Sequence, residues 1–438
     1  MNTPLCDFVE GYRDRRALRL HMPGHKGRGD YHWADITEID GADVLYHETG
    51  VLRQSEQNAA SLFGAGRTLY SAEGSSLCIR AMVHLARLHA AQQGKPCRIL
   101  AARNAHKTFI NAAALLDVQV DWLCPPEATL LSCPVTAADL EAALSAHACT
   151  AVYITSPDYL GHMADIAALA QACHRHGALL MVDNAHGAYL KFLPQSLHPL
   201  DMGADICCDS AHKTLPVLTG GAYLHIAGDA FLMAQAPEAM ALFASTSPSY
   251  LILQSLDRVN ALLAGDFPRR LASTADMLAL CRKNLPQWTF AGDEPLKWTI
   301  LPKSMGYTGT ELSALLSRLG AECEFADPDH LVMMFSPAHT AEELSGLTAL
   351  LQAIPRREPI PGGPPPLPRP SPRMRPHQAL MSPRETIPVA QAQGRILASA
   401  CVTCPPAVPV TALGEEITPE AVQCMRYYGM EACVVARE

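Results

Sequence analysis

Four short apolar runs share one layout, and this layout constrains the fold more than any other feature of the chain. Each run is five residues long and leads into polar residues, with helix-like stretches lying between the runs. Short apolar runs of this kind are typical of strands that are buried on both faces of a parallel sheet. The runs cover residues 97–101, 150–154, 178–182 and 204–208.

The polar residues after these runs predict where a ligand binds. Asp183 follows the third run and Asp209 follows the fourth. The stretch 164–176 has apolar residues at helical spacing and is stopped by Gly177. Alternating strands and helices predict an α/β fold with a mostly parallel sheet, whose ligand binds beyond the carboxyl ends of the strands.

Lys213 lies in a segment that suits the chemistry of pyridoxal phosphate. Ser210 and His212 come shortly before it, and Asp183 ends an apolar run thirty residues earlier. A lysine can form a Schiff base with the aldehyde of this cofactor. An aspartate can stabilise the protonated pyridine nitrogen so that the ring accepts electrons. A surface lysine after a buried strand is the simpler interpretation, but it leaves the neighbouring motifs unexplained.

A phosphate site can also be predicted. Gly74, Ser75 and Ser76 precede the stretch 77–85, which should form a buried helix. Backbone N–H groups, hydroxyls and the positive end of the helix dipole would meet an anion there. Serine is an ordinary N-cap residue, so this motif alone is weak evidence. Together with Ser210 it predicts a phosphate cup.

His106 closes the first of the four strands at the same edge of the sheet. Its imidazole could stack on a flat cofactor ring, although a single histidine there could equally be structural.

Composition excludes several classes of protein. The chain has 438 residues, of which 49% are hydrophobic and 18% are charged, so it can form two or three domains with a sizeable core. Its net charge of -9 gives no basic surface for nucleic acid. The sequence contains no run of about eighteen apolar residues, so it predicts no membrane span. The N-terminus lacks a signal-peptide pattern, which predicts a cytoplasmic protein whose fifteen cysteines are reduced.

Two short motifs have the spacing of metal or redox sites. Cys401 and Cys404 form a lone CxxC pair, with no second pair nearby. His21 and His25 are four residues apart, but a proline and a glycine between them oppose a helix, and no third ligand is evident. We therefore expect no metal site, and we expect the histidine segment to be a loop near the mouth of the active site.

Proline content predicts a break in the second half of the chain. Between Pro359 and Pro376 nine of the eighteen residues are proline, which predicts an extended linker. Recruitment of a proline-binding partner is the alternative. The expected organisation is an N-terminal arm (1–45), a cofactor domain (46–255), a small α/β domain (256–355), the linker (356–376) and a C-terminal cap domain (377–438).

Taken together, the motifs resemble the ornithine/lysine/arginine decarboxylase family of fold type I pyridoxal-phosphate enzymes, in its short bacterial form without an N-terminal wing domain. The similar segments extend over nearly the whole chain. They are 21–27, 37–43, 63–65, 74–76, 103–107, 155–159, 183–187, 210–214, 246–250, 382–385, 394–396 and 414–415.

The resemblance implies a fold type I, transferase-like α/β fold with a mostly parallel central sheet, a small α/β domain and a C-terminal cap. It also implies pyridoxal-phosphate-dependent decarboxylation of arginine, lysine or ornithine in polyamine metabolism, by a dimer or a dimer of dimers. An aminotransferase or aldolase of the same fold would use the same lysine and aspartate and is the alternative. Intact Lys213 and Asp183 argue against a third class, a regulator with a degraded site.

The resemblance further implies a role for each site residue. Lys213 would carry the Schiff base, Asp183 would face the pyridine nitrogen and His106 would stack on the ring. The phosphate would be held by Gly74, Ser75, Ser76 and Ser210, with His212 and His186 beside the cofactor, and with Thr246 and Ser247 reaching the phosphate of the neighbouring subunit.

The substrate is less constrained. A basic amino acid has a cationic head group, which needs an anionic partner when it is buried. Glu415 is the candidate, although a glutamate there could equally lie on the surface. Arginine ranks first, lysine second and ornithine third, because a guanidinium suits a bidentate carboxylate best. Several departures leave the substrate open. Asn184 stands where the family often has glutamate, Leu160 stands where a second tyrosine is common, and the C-terminal patterns at 404–409 and 413–415 are loosened.

Overall fold

The computed structural model describes residues 1–30, 32–47, 49–400 and 407–437. Cys401, Cys404 and the first part of the 404–409 pattern lie outside the described residues. The α-helices are α1 (Pro4–Asp14), α2 (Val51–Phe63), α3 (Gly74–Gln92), α4 (Lys107–Leu115), α5 (Ala137–Ala146), α6 (Ile166–Arg175), α7 (Ala211–Thr214), α8 (Ala230–Ala241), α9 (Tyr250–Leu263), α10 (Phe267–Lys283), α11 (Gly309–Arg318), α12 (Ala341–Ala353), α13 (Pro376–Met381) and α14 (Pro419–Tyr427).

The strands alternate with these helices through the first half of the chain. They are β1 (Arg67–Ser71), β2 (Arg98–Ala102), β3 (Gln119–Leu123), β4 (Ala151–Thr155), β5 (Leu179–Asp183), β6 (Ile206–Asp209), β7 (Ala222–Ile226), β8 (Thr289–Ala291), β9 (Lys297–Leu301), β10 (Phe325–Ala326), β11 (Leu331–Met334), β12 (Arg384–Pro388) and β13 (Ala432–Ala436). Short 3-10 helices span Ala188–Phe192, Pro199–Met202, Pro302–Met305 and Val389–Gln391.

The predicted strands are confirmed. The four apolar runs form β2, β4, β5 and β6, each displaced by no more than two residues from its predicted bounds. Strand β5 pairs with β6, and β2 pairs with β3 and β4, all in parallel, whereas β7 is antiparallel to both β1 and β6. The α/β class with a mostly parallel sheet is therefore confirmed.

The chain divides into two compact units. The first comprises Met1–Pro96 and Leu179–Arg270, and the second comprises Cys97–Ala178 and Leu271–Glu438. Because each unit is made of two separate stretches of chain, the units cut across the domain bounds expected from the sequence. Those bounds stay a prediction.

In the first unit the strand order is β1-β7-β6-β5. The apolar face of α3, which includes Leu77, Cys78 and Met82, is buried in the core of this unit. The register sets Asp183 at the end of β5 directly opposite Cys208 in β6. Asp183 and the residue that follows Cys208 therefore lie at the same edge of the sheet.

In the second unit the strand order is β4-β2-β3, and an antiparallel sheet has the order β10-β11-β9-β8. Strands β12 and β13 form a third, two-stranded sheet. Strand β9, helix α11 and strand β11 lie within residues 256–355, where the sequence analysis expects a small α/β domain. A cluster of buried residues from the C-terminal part, including Leu397 and Met425, packs with Leu130 and Val332.

The proline-rich segment is extended and is attached to the second unit. Leu367 is buried in the cluster just described. The backbone N–H groups of Arg373 and Met374 both donate to the Gly414 carbonyl, at 2.9 and 3.0 Å. Gly414 has a φ of +83°, and an added Cβ would clash with the Met374 carbonyl, so glycine is needed at this close approach. The segment therefore packs against the unit and is not a free tether.

The histidine pair near the N-terminus lies in a series of turns, as its proline and glycine predict. His21 Nε2 lies 2.7 Å from the Tyr12 hydroxyl, and His25 Nε2 lies 3.0 Å from the Asp35 carboxylate. The two rings thus bind different partners. Among the described residues, no helix is both long enough and apolar enough to cross a membrane.

Candidate active site

Lys213 and His186 meet at the carboxyl edge of the first unit's sheet. Lys213 Nζ lies 3.0 Å from His186 Nε2. His186 is buried, and Lys213 is partly buried on the short helix α7 that follows β6. The backbone N–H of Lys213 donates to the Ser210 carbonyl (3.0 Å), which holds the lysine in a tight turn. An amine and an imidazole at this distance can exchange a proton.

Asp183 is buried at the end of β5, with 3% of its surface exposed. Its Oδ1 accepts a hydrogen bond from the Ala185 backbone N–H (3.2 Å), and the Cys208 thiol lies 3.7 Å from the same oxygen. Burial, reinforced by the nearby Asp183 charge, raises the pKa of Cys208 well above its usual value. Cys208 therefore stays a protonated thiol that can donate to the carboxylate.

Residues of the predicted phosphate cup lie together at the start of α3. The Ser210 hydroxyl donates to the Ser75 hydroxyl at 2.8 Å, joining the two segments that the sequence analysis assigns to the phosphate. Gly74 has a φ of +71°, which is the left-handed conformation that glycine tolerates best, and Ser76 follows in the first turn of the helix. Glu73 precedes this helix without capping it with its side chain.

Glu73 instead accepts a hydrogen bond from the Ser245 backbone N–H at 2.7 Å. This contact brings the start of the exposed segment that contains Thr246 and Ser247 to the residue before Gly74 in the same chain. This segment therefore lies next to the predicted cup of its own chain, although 172 positions separate Ser245 from Glu73 in the sequence. The role of Thr246 and Ser247 toward a partner subunit stays a prediction.

His212 is fixed beside Lys213. Its Nδ1–H donates to the Gly221 carbonyl at 3.0 Å, which leaves the ring hydrogen on Nδ1. Burial is the main reason that the pKa of His212 is lowered. The hydrogen bond to Gly221 opposes this effect, and the neighbouring Lys213 charge adds to it. His212 is therefore a neutral ring at neutral pH.

A buried network behind the lysine was missed by the sequence analysis. Asp209 Oδ1 accepts from Asn184 Nδ2 at 2.7 Å, and Asp209 Oδ2 lies 3.0 Å from His198 Nε2 and 3.4 Å from His225 Nε2. All four side chains are buried. Burial would raise the pKa of Asp209, but the two histidines outweigh burial and hold it well below its usual range. Asp209 is thus ionised.

The ligand atoms of His198, Cys207 and Asp209 lie within 4.8 Å of one another, which is close enough to hold a metal ion. Metal ligation by cysteine requires the thiolate. Burial, with the Asp209 charge, raises the pKa of Cys207 well above its usual value, and the Asp209 oxygen is already hydrogen-bonded to His198. We interpret this cluster as a hydrogen-bond network.

His106 belongs to the second unit, where it is the N-cap residue of α4. Its Nδ1 accepts a hydrogen bond from the Thr108 backbone N–H at 3.2 Å. The side chain is partly buried, and this cap fixes the direction of the ring. Stacking of the ring on a cofactor stays a prediction.

Glu415 is buried in the second unit and is paired with a cation of the protein itself. Its Oε2 accepts from Arg103 Nη2 at 2.8 Å and from the Ala412 backbone N–H at 2.7 Å. Both charged side chains are at most 4% exposed. Glu415 Oε1 is buried and has no hydrogen-bond partner among the described residues. A cleft of about 370 Å³ in this unit is lined in part by Glu415, Trp122 and Arg369.

The first unit's residues fit pyridoxal phosphate by the chemistry of their donor groups. Two linked hydroxyls at a helix N-terminus suit a phosphate, and a buried carboxylate at a strand end suits a protonated ring nitrogen. The Lys213 amine, 3.0 Å from an imidazole, suits an aldehyde. These groups lie on one unit and need no contribution from Glu415.

Comparison with known proteins identifies the family. The family model described as "Orn/Lys/Arg decarboxylase, major domain" matches residues 3–285. The model described as "Orn/Lys/Arg decarboxylase, C-terminal domain" matches residues 367–435. The chain belongs to the Orn/Lys/Arg decarboxylase family.

Members of this family are present among the curated and solved proteins that are similar to the chain. The uncharacterized protein YaaO of Bacillus subtilis is 29% identical, with 97% of this chain and 93% of that protein aligned. An arginine decarboxylase of B. subtilis is 27% identical, over 96% and 92% of the two chains. The structure of the E. coli constitutive lysine decarboxylase superposes with a TM-score of 0.79 at 19% identity, covering 100% of this chain and 82% of that chain.

This Orn/Lys/Arg decarboxylase family member is a pyridoxal-phosphate-dependent amino-acid decarboxylase with a fold type I architecture. The resemblance inferred from the motifs is thereby confirmed, and so are the class of enzyme and the cofactor. The aminotransferase and aldolase alternatives are set aside.

Proposed function

We propose that this decarboxylase converts a basic amino acid to the corresponding amine, with arginine preferred over lysine and lysine over ornithine. The similarity to an arginine decarboxylase over 96% of the chain supports the substrate class. The observation that carries the chemistry is the group formed by Lys213, His186 and Asp183 at one sheet edge, with a Lys213–His186 distance of 3.0 Å.

Each of these residues has a defined task. When bound, pyridoxal phosphate supplies a ring that accepts the electron pair left by carbon dioxide. Lys213 binds the aldehyde, and His186 accepts or returns a proton at Lys213 Nζ. Asp183 keeps a proton on the ring nitrogen through its negative charge. The Ser75 and Ser210 hydroxyls orient the phosphate.

Borohydride reduction tests the assignment of Lys213. The purified protein should have a visible absorption band that reduction removes, and peptide mass spectrometry should locate the trapped cofactor on Lys213. Lys213→Ala should lose both the trapped adduct and the activity. Lys191→Ala, which removes a lysine that binds Asp201 in the same unit, is the matched control and should retain both. A reducible linkage and normal activity in Lys213→Ala would contradict the assignment.

The head group of the substrate is assigned to Glu415 through its second oxygen. Because Oε2 is already bound to Arg103, we expect a single hydrogen bond from the head group to Oε1, not the bidentate ion pair from which the sequence analysis ranked arginine first. The proposed preference for arginine therefore rests on the similarity to an arginine decarboxylase. Glu415→Gln should then raise KM more than it lowers kcat, since the head group is bound similarly in the ground and transition states. Glu416→Gln, next in sequence and paired with the exposed Arg373, is the control.

Arginine, lysine and ornithine should each be offered to these variants, with the amines identified by mass spectrometry. An unchanged preference among the three in Glu415→Gln would remove Glu415 from the substrate site. Formation of no amine from any of them by the wild type would overturn the substrate class.

We further propose that the enzyme acts as a homodimer or a dimer of dimers, in the cytoplasm and in polyamine metabolism. The exposure of Thr246 and Ser247 supports a role toward a partner subunit. Sedimentation should then detect a dimer or a larger assembly that loses activity on dissociation. A fully active monomer at nanomolar concentration would contradict this proposal.

A further inference from the structure

One buried hydrogen bond joins the two loops that carry the cofactor residues. Asn184 Nδ2 donates to Asp209 Oδ1 at 2.7 Å. Asn184 lies directly after Asp183 on the loop that follows β5, and Asp209 lies four residues before Lys213 at the end of β6. Together with the hydrogen bond from the Asn184 backbone N–H to the Cys208 carbonyl, this side-chain contact links the residue after Asp183 to the segment that leads to Lys213.

Asp209 is itself held from the opposite side. His198 Nδ1 accepts from the Leu200 backbone N–H, so the hydrogen on Nε2 points at Asp209 Oδ2. His225 Nδ1 lies 2.8 Å from the Thr68 hydroxyl, which orients its Nε2 toward the same oxygen at 3.4 Å. The carboxylate can therefore neither rotate nor move without breaking contacts to groups that are all buried.

Asn184 is fixed as well. Its backbone N–H donates to the Cys208 carbonyl (3.0 Å), and its carbonyl accepts from the Gly187 backbone N–H (2.8 Å). A Cβ on Gly187 would clash with the Asn184 side chain, so glycine is required beside the amide. The loop of residues 184–187, which also contains His186, is thus folded around Asn184.

The contact needs one amide and one carboxylate. A second carboxylate at position 184 would face Asp209 in a site without solvent, and two like charges at that distance cannot both ionise. Two amides would remove the anion that the histidines contact.

We propose that Asn184 and Asp209 form a positioning pair that sets Asp183 and His186 relative to Lys213. The pair touches neither substrate nor cofactor in this proposal and acts through the neighbouring residues. Its effect on turnover rests on the proposed function, but its effect on cofactor binding does not.

A charge-swap cycle tests the pair. Asn184→Asp, Asp209→Asn and the double variant Asn184→Asp/Asp209→Asn should be compared with the wild type. Each protein is assayed for the dissociation constant of pyridoxal phosphate, the pH midpoint of the bound cofactor's visible absorbance, kcat and KM. The melting temperature of the cofactor-free protein records folding separately.

Each single variant should bind the cofactor about tenfold or more weakly and lose at least about tenfold in kcat, with a shifted absorbance midpoint, because contacting buried groups couple strongly. The double variant again has one amide and one carboxylate of nearly unchanged shape. The charge moves to position 184, and the amide oxygen at position 209 can still accept the hydrogen of His198 Nε2. It should recover most of the loss in cofactor affinity and return the midpoint toward the wild-type value.

Asp205→Asn is the matched control. Asp205 Oδ2 accepts from the Leu180 backbone N–H at 2.7 Å, so it joins the same two neighbouring strands at their opposite ends. This variant should lower the melting temperature without moving the absorbance midpoint. The positioning role of the pair would be overturned if the losses of cofactor affinity in the two single variants simply added up in the double variant. It would also be overturned if the single variants kept the wild-type affinity and absorbance midpoint.

The readouts keep the two proposals apart. A wild type that binds the cofactor but yields no amine would overturn the proposed function. The cofactor affinities and absorbance midpoints of the four proteins would still test whether Asn184 and Asp209 act as a positioning pair. Should a single variant fail to fold, the double variant alone decides: wild-type-like affinity supports the pair, and weak binding by a folded double variant contradicts it.

Discussion

Asp209 in the first unit and Glu415 in the second are both buried carboxylates, yet they are held in different ways. Asp209 contacts an amide and two imidazoles, all on segments next to the cofactor residues. Glu415 is paired with Arg103, a permanent cation at the end of β2, and with the backbone of its own loop. The comparison indicates that changes around Asp209 should disturb chemistry most, whereas changes around Glu415 should disturb folding most.

The largest expected effect is on stability, and it tests whether changes around Glu415 disturb folding most. Arg103→Ala leaves the Glu415 carboxylate buried without its cation, which should cost about 3–5 kcal/mol of the free energy of unfolding, measured by urea denaturation. The matched control is Arg98→Ala, whose partly exposed pair with Asp121 should be worth less than about 1 kcal/mol. Equal losses for the two variants would contradict the contrast.

Removing both partners sharpens the same point. In Arg103→Met/Glu415→Met no buried charge is left alone, so this variant should be more stable than Arg103→Ala in spite of having lost the whole ion pair. If the double variant is the less stable of the two, then the interaction itself, and not the unpaired charge, dominates.

The next effect concerns catalysis. Asp183→Asn keeps the shape of the buried side chain but removes the charge that holds the proton on the ring nitrogen, so kcat should fall by about a hundredfold or more. The melting temperature of the cofactor-free protein should change little. A loss of turnover below about fivefold would remove Asp183 from its assigned role.

The next prediction concerns the pH dependence that Asp209 gives to stability. The folded-state pKa of Asp209 lies below the value of about 3.9 for an unfolded chain, so its stabilising contribution is present above that pH and is lost as the pH falls below it. The difference in free energy of unfolding between wild type and Asp209→Asn should therefore shrink as the pH falls below about 4. A difference that grows below that pH would mean that the pKa is shifted the other way.

The smallest effect lies beside Asp183. Cys208→Val removes a weak donor 3.7 Å from the Asp183 carboxylate and should lower kcat by about threefold or less, while Cys208→Ser should keep the donor. Cys207→Val changes the adjacent buried thiol and is the control. Similar losses for the two valine variants would show that packing, and not the thiol donor, is responsible.

Local patterns were sufficient to predict four strands of the central sheet and to place several candidate site residues at its edge. Each apolar run contains its own evidence of burial, and the spacing of Asp183, Ser210 and Lys213 relative to the runs brings these residues to one edge once the strands pair in parallel. The start of α3 was predictable for the same reason, because Gly74 and the serines stand directly before an apolar helix.

Contacts between distant segments could not be predicted in this way. Arg103 and Glu415 are separated by 312 positions, and nothing near either residue indicates the other. His225 reaches Asp209 only because β7 runs antiparallel to β6 with Cys207 opposite His225. The unusual Asn184 was visible in the sequence, but its meaning depends on a partner that only the fold supplies.

The proline-rich segment has a consequence for self-association. An extended backbone on the surface of a domain normally presents N–H groups to which a strand of another molecule can add, and such edges promote aggregation. With nine prolines among the eighteen residues from 359 to 376, half of those donors are missing. Two of the remaining donors, on Arg373 and Met374, are bonded to Gly414. The segment can therefore cover the second unit while offering little template for unwanted strand addition.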